Sequence, residues 1–299
     1  MNKDRNPIGV IGLGAIGSAF CERLIAGGQP VVGFDVSSAA VARASTLGVE
    51  AAVSPAALAE RCRTVVTSLP HIEALSDAVN GLEMVSAGGL VIDTNTFAAT
   101  DKEAASRRLA DAGWRMIDCT ISGNHDMVVT GDYAFFVSGA PADLSDCRPL
   151  LDLLSNRIIE LGAFGDASKI KLILNHLVMI HTAAAAEAMA LAAQAGLDLQ
   201  TVYDLVTSSS ASSEIFALRG KMMVDEDYRS SRGNYHVIMK DADIISALAQ
   251  TVRFPIPLFS LATQLHMLGV AGGWAEQDTA SLATVFRRNA APLAEETGG

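Results

Sequence analysis

Lys171 and Asn175 lie four residues apart in the stretch GDASKIKLILNHLVMI (165–180), and four residues is about one helical turn. From Ile170 to Ile180 the spacing predicts a helix that is apolar on nearly every face. Such a helix is normally buried, and a buried ammonium or amide is costly unless paired. Two readings follow. Lysines that snorkel to solvent are common. A lysine desolvated beside a ligand can instead serve as general acid or base. Lys169 points about 200° away from Lys171 and takes no part in that face.

Three further motifs carry chemistry. GLGAIG (Gly12, Leu13, Gly14, Ala15, Ile16, Gly17) follows a strand and opens a helix, and Asp35 ends the next strand 18 residues after the third glycine. That is the dinucleotide fingerprint: a tight turn at Gly12, backbone approach to pyrophosphate at Gly14, close packing at Gly17, and helix N-terminal amides for the phosphates. A carboxylate at Asp35 accepts hydrogen bonds from the adenosine ribose and repels a 2′-phosphate. Val36 follows it, not an arginine, so NAD is expected in preference to NADP. DCTISG (118–123) ends a strand with Ser122-Gly123-Asn124, either an ordinary polar turn or a carboxylate-binding loop. MKDADIISALA (239–249) begins an apolar helix with Lys240-Asp241. Alone it reads as a solvated helix start with its acid near the dipole's positive end.

The elements that must hold these residues are legible in outline. Strand patterns fall at 7–11, 31–34, 64–68, 90–93, 116–121, 133–137 and 157–161, with helical patterns between most of them. This alternation predicts an α/β Rossmann domain with a doubly wound, mostly parallel sheet. The closely spaced later strands are expected to form an antiparallel edge. After Gly162 the pattern becomes helical. A long interdomain helix is expected over 166–195, stopped by Gly196, and no clear strand follows residue 200. We therefore expect a nucleotide-binding domain over 1–164 and an all-helical substrate and dimerisation domain over 165–299. Expected helices in the latter include 239–251 and 276–289.

Composition narrows the function. With 299 residues, half of them hydrophobic and 18% charged, the chain can build two cores. A formal charge of −11 disfavours nucleic acid and anionic membranes as partners, so an anionic ligand must be held by local groups. No run of apolar residues unbroken by charge is long enough to predict a membrane span. Cys21, Cys62, Cys119 and Cys147 have no metal-ligand spacing and no CxxC, and no His/Cys/carboxylate set predicts a metal site. The chain opens MNKDRNPIGVIGLG without a secretory pattern, so free thiols in the cytoplasm are expected.

Taken in order, these motifs resemble the β-hydroxyacid dehydrogenase family, which includes 3-hydroxyisobutyrate dehydrogenases and tartronate semialdehyde reductases. GLGAIG matches the family's GLGxMG, and DCTISGNHDMVVTGDYAFFVSG matches DxPVSGGxxGAxxGxLxxxxGG without a gap. GAFGDASKIKLILN matches GxxGxGxxxKxxxN, and MKDADIISALA matches the later Lys-Asp helix. The resemblance runs from about residue 8 to about residue 290. It implies an NAD(P)-dependent oxidoreductase that interconverts a small 3-hydroxy carboxylate and its semialdehyde or keto form. Lys171 would be general acid/base with Asn175 beside it, and Ser122, Gly123 and Asn124 would hold the substrate carboxylate. Leu69-Pro70, Thr96 and Lys240 would join the glycine loop and Asp35 at the cofactor, and Asp241 would steady Lys240's region. Relatives pair through the helical domain, so a homodimer or homotetramer is implied.

The chain departs from the family where substrate would sit. SGG becomes SGN, His125-Asp126 follows where small residues are usual, and the STxxP turn reads Asn95-Thr96-Phe97. The reaction type carries over, but no particular substrate does. Three alternatives share the scaffold. A phosphosugar decarboxylating dehydrogenase would carry KxxHN, where this chain has Leu174. An imine reductase would typically lack Lys171. A non-catalytic NAD-binding regulator would not require Lys171, Asn175 and Ser122, all of which are present.

Overall fold

The computed structural model describes residues 6–86, 88–123, 125–229 and 233–290. The chain divides into two compact units, Met1–Lys171 and Leu172–Gly299. This division lies later than the change of pattern at residue 164, because the first turn of the long helix is hydrogen-bonded into the sheet.

Unit 1 alternates strands and helices: β1 (Ile8–Ile11), α1 (Ala15–Ala26), β2 (Val31–Phe34), α2 (Ser38–Thr46), β3 (Glu50–Ala51), α3 (Pro55–Ala59), β4 (Thr64–Thr67) and α4 (Ile72–Leu82). It continues with β5 (Gly89–Asp93), α5 (Ala99–Asp111), β6 (Trp114–Ser122), α6 (His125–Thr130), β7 (Ala134–Ser138), α7 (Pro141–Leu154) and β8 (Arg157–Glu160). The strands form one sheet in the order β3-β2-β1-β4-β5-β6-β7-β8. Only the β6–β7 pair is antiparallel; β7 and β8 run parallel, so the expected antiparallel edge reduces to one reversed pairing. Neighbouring residues of each inner strand serve opposite faces. Val10, Val66 and Ile92 pack under α1, α2, α6 and α7, while Ile11, Val65 and Val91 pack under α3, α4 and α5. Both faces are covered, which is why these strands read as continuous Val/Ile runs. The two-residue β3 is exposed on both residues and gave no strand pattern.

Unit 2 is helical. The long helix α8 (Asp166–Gln194) begins in unit 1 and is followed by α9 (Leu199–Thr207), α10 (Glu214–Asp225), α11 (Tyr235–Thr251), α12 (Pro257–Ala271), a 3₁₀ turn (Thr279–Ser281) and α13 (Leu282–Asn289). Gly196, at φ +75°, ends α8 as a left-handed cap that a side chain would disfavour. Length and composition alone would let α8 cross a bilayer. Its first turn is instead tied to β6, and Met179, Ala183, Ala186 and Met189 are buried, so it serves as a core helix. Ile173 and Leu177 nevertheless remain 53% and 44% exposed, which corrects the expectation of a helix buried on every side.

Two expected helices differ at their starts. Asn234 caps α11 through its side chain, so this helix begins at Tyr235 and not at Met239. The expected helix over 276–289 is interrupted at Asp278. That carboxylate caps the 3₁₀ turn and meets buried Arg219 at 3.1 Å, a pairing that holds the backbone out of α-helix. His266 on α12 is also fully buried, with Nε2 3.2 Å from the Met179 carbonyl oxygen. Burial pulls its imidazole down to about 4.

The four cysteines are unpaired and buried. Burial pushes the thiols of Cys21 and Cys147 up to about 12, that of Cys62 up to about 11, and that of Cys119 well above its ordinary value.

Candidate active site

The glycine loop is built by close backbone approach. Gly12 sits at φ +93°, donates to the Phe34 carbonyl at 2.9 Å, and leaves no room for a Cβ, which would lie 2.0 Å from the Ser68 carbonyl oxygen. A Cβ on Gly17 would lie 1.9 Å from the Gly12 carbonyl oxygen, so Gly17 packs on the loop itself. Asp35 closes the arrangement. Its Oδ2 accepts from Leu13 N–H and its Oδ1 from Ser37 N–H, each at 2.7 Å. Ala15 and Ile16 begin α1 behind Gly14, and no side chain caps that helix.

A second turn lies beyond β4. Leu69 N–H donates to Asn95 Oδ1, and Asn95 Nδ2 donates to Asp93 Oδ1, both at 2.5 Å. Asn95, a departure from the family's serine, therefore clamps the turn carrying Leu69 and exposed Pro70 to the segment carrying half-buried Thr96.

β6 ends at Ser122, and Gly123 follows in a bend. A Cβ on Gly123 would lie 2.6 Å from the Cβ of Tyr133, so this glycine is required by packing as well as by any need for bare amides. Asn124 lies outside the described residues. His125 Nδ1 lies 3.2 Å from Asp126 Oδ1 at the start of α6, with His125 half-buried and Asp126 exposed. Two residues before Ser122, Thr120 Oγ1 donates to the Ala167 carbonyl of α8 at 3.1 Å. Ser168 N–H and Oγ donate to the two oxygens of Asp118, each at 2.8 Å. Lys171 follows Ser168 by three residues and is half-buried. Lys169 pairs with Asp166 at 3.0 Å, away from that face as expected.

In unit 2, Asn175 Nδ2 donates to Asp241 Oδ2 at 2.6 Å, and Lys240 Nζ lies 3.1 Å from Asp241 Oδ1. Asp241 is 3% exposed. An amide facing a carboxylate must present its NH₂, so Asp241 fixes which way Asn175 points.

The family model for the NAD binding domain of 6-phosphogluconate dehydrogenase matches residues 7–162. The one described as NAD-binding of NADP-dependent 3-hydroxyisobutyrate dehydrogenase matches residues 165–286. L-threonate dehydrogenase of Cupriavidus necator is 32% identical over 284 residues, covering 93% of this chain and 95% of that protein. The chain belongs to the β-hydroxyacid dehydrogenase family. A crystal structure of 3-hydroxyisobutyrate dehydrogenase from Salmonella typhimurium aligns with TM-score 0.83 at 26% identity, covering 94% of this chain and all of that one. An imine reductase from Pseudomonas sp. has 18% identity and TM-score 0.64 over 94% of this chain and 99% of its own, and so shares the fold alone. As a β-hydroxyacid dehydrogenase, this protein is an NAD(P)-dependent oxidoreductase of a 3-hydroxy acid.

The residues fit that cofactor. Nothing lies within 4 Å of where a Cβ on Gly14 would project, so the loop leaves backbone approachable there. The uncapped start of α1 leaves amides of the kind a pyrophosphate would need, and the anchored Asp35 is a carboxylate of the kind a ribose would need. The sequence did not point to Lys102, which stands between Asp93 and Asp118. The signal lies in the strand register and not in the sequence: both aspartates sit at the same level of adjacent strands, where two buried carboxylates are stabilised by a shared cation.

Proposed function

We propose that this β-hydroxyacid dehydrogenase uses NAD to oxidise a short 3-hydroxy acid bearing further hydroxyl groups, with Lys171 as the proton acceptor. One observation carries the catalytic assignment: Ser168 is bonded twice to Asp118 on β6, the strand that runs on to Ser122. The strand presenting Ser122-Gly123 thus sets the helical turn that bears Lys171. In oxidation, neutral Lys171 Nζ takes the hydroxyl proton as hydride leaves the same carbon. NAD, when bound, accepts that hydride. In reduction, the Lys171 ammonium polarises the carbonyl and returns the proton to its oxygen. Asn175 gives its NH₂ to Asp241, so its carbonyl oxygen is left to accept from the substrate hydroxyl or from Lys171.

Ser122, Gly123 and Asn124 hold the substrate carboxylate. Leu69, Pro70 and Thr96 extend the cofactor site begun by the glycine loop within unit 1, and resemblance to the family supports Lys240 as a further cofactor contact. NAD is preferred over NADP because Asp35 faces the ribose and exposed Val36 offers no cation. The polar substrate is supported by the run Asn124-His125-Asp126 and by similarity to an L-threonate dehydrogenase, whose named substrate is a trihydroxylated four-carbon acid. A site built to hydrogen-bond such a group rejects analogues lacking it by up to about 10⁴-fold. A homo-oligomer joined through unit 2 is supported by exposed Ile173, Leu177, Leu258 and Leu261, and a cytoplasmic setting by the four free thiols.

The test is kcat/KM over L-threonate, 3-hydroxyisobutyrate and related short acids, for the wild type and for Lys171→Ala. The variant should lose roughly 10²–10⁴-fold in kcat, with NAD binding near normal. Activity within about tenfold of wild type would remove Lys171 from catalysis. A wild-type preference for 3-hydroxyisobutyrate would overturn the polar-substrate reading alone.

A further inference from the structure

Asp93 ends β5 and Asp118 lies beside it on β6 as its register partner. Both are fully buried. Two carboxylates so placed repel, and without help one of them would have to stay protonated. The ammonium of Lys102, from the first turn of α5, stands between them, 2.8 Å from Asp93 Oδ2 and 2.8 Å from Asp118 Oδ1. Lys102 is itself 0% exposed. Burial draws its pKa down, but the two carboxylates more than offset this and hold it above the ordinary lysine value. Three charges buried in a sheet are retained only if their remaining hydrogen-bonding capacity is also met.

Apart from Asp93 Oδ2, which faces Lys102 alone, the carboxylate oxygens are met by groups that lead in two directions. Asp93 Oδ1 accepts from Thr67 Oγ1 and Asn95 Nδ2, and Asn95 in turn receives Leu69 N–H. This branch ends on the turn Leu69-Pro70 and on the segment that continues into Thr96. Asp118 accepts from Ser168 N–H, Ser168 Oγ and Ser138 Oγ, and Ser138 Oγ also receives Ala167 N–H. This second branch ends on the first turn of α8, three residues before Lys171.

We propose that Lys102 is a positioning residue: through Asp93 it fixes the Leu69 and Thr96 turns of the cofactor site, and through Asp118 it fixes the helical turn that carries Lys171. The second arm rests on the catalytic assignment of Lys171 made above, and the first does not. With the ammonium gone, both carboxylates lose a charged partner and repel each other, so both branches loosen. All the groups named lie in unit 1.

Lys102→Met keeps the length of the side chain and deletes the charge. Three readouts decide: hydrogen–deuterium exchange of the cofactor-free protein, NAD affinity by titration, and kcat. Exchange should rise by about tenfold in segments 67–70 and 166–171 while 31–34 on β2 is unchanged. The NAD Kd should rise severalfold and kcat should fall at least about tenfold. A role confined to general stability would raise exchange in all three segments together, and that result would overturn the proposal. So would exchange and NAD Kd within about twofold of wild type.

If Lys102→Met does not fold, Lys102→Met/Asp93→Asn restores the cluster's net charge of one negative and leaves Asp118 ionised on Ser168. The double variant should then exchange normally over 166–171 but rapidly over 67–70, with weakened NAD binding. Equal exchange in both segments would refute the two-branch arrangement. Lys171→Ala separates the two ideas, because its activity can sink the assignment of Lys171 while the Leu69 exchange and NAD affinity of Lys102→Met still stand.

Discussion

Replacing Asp35 by asparagine tests the proposed role of its carboxylate at the adenosine end of the cofactor. A carboxylate offers about four lone-pair sites over its two oxygens. One on each oxygen is taken, by Leu13 N–H and by Ser37 N–H, both at 2.7 Å. The remaining pair is available to ribose hydroxyls. Asparagine has a single acceptor oxygen and must turn its NH₂ toward one of those partners. It can keep one backbone amide and one hydroxyl, so at least one charge-assisted bond to the ribose is lost. Such a bond is worth about 1.5–3 kcal/mol, which corresponds to about 10- to 100-fold weaker NAD binding. NADP should not suffer equally, because the negative charge facing its 2′-phosphate has gone. Wild type should favour NAD by roughly tenfold to several hundredfold in kcat/KM, at about 1.4 kcal/mol per decade. Asp35→Asn should cut that ratio by at least about tenfold. Initial rates with both cofactors measure the ratio, and calorimetric titration with NAD measures the affinity. A wild type that prefers NADP, or a variant that keeps the wild-type ratio within about twofold, would show that Asp35 only braces the glycine loop.

Two other expectations concern unit 2. Asp241→Ala removes the acceptor that orients Asn175 and the partner of Lys240; loss of a charge-assisted bond at about 1.5–3 kcal/mol should lower kcat/KM by roughly 10- to 100-fold with circular dichroism unchanged, and a loss below about twofold would assign Asn175's orientation elsewhere. His266 sets an acid limit: above pH 6.5 it is neutral folded and unfolded, but as pH falls toward about 4 the unfolded chain binds a proton that the buried imidazole does not, so stability is lost across that window and no further below it. At about 1.36 kcal/mol per pH unit the full loss is about 3 kcal/mol, so urea midpoints at pH 7 and pH 4 should fall further for wild type than for His266→Gln, and equal falls would refute the buried neutral histidine.

What the sequence disclosed was local. The glycine loop and Asp35 are legible because glycines at fixed offsets answer steric demands a few residues away, such as the Gly12 carbonyl against Gly17. The long helix was legible to within a residue at its far end, since its small-residue run stops at a glycine. The Lys102 cluster was not legible, because it depends on the register of β5 against β6, and Lys102 reads as an ordinary helix-surface residue in ATDKEAASRRLAD. Asp241's hold on Asn175 spans 66 residues and has no local signature. The same is true of the break at Asp278, imposed by an arginine 59 residues earlier.

The buried thiols give the molecule an internal clock. Cys21 on α1, Cys62 before β4, Cys119 on β6 and Cys147 on α7 all lie in unit 1, and no cysteine follows residue 147. A thiol reagent needs the thiolate, which burial suppresses at all four positions. Labelling must therefore wait for the nucleotide-binding unit to open, and its rate reports that opening without contribution from the helical unit. Added NAD would slow the clock in proportion to how much its binding favours the closed form, so cofactor affinity can be read from labelling kinetics with no substrate in the tube.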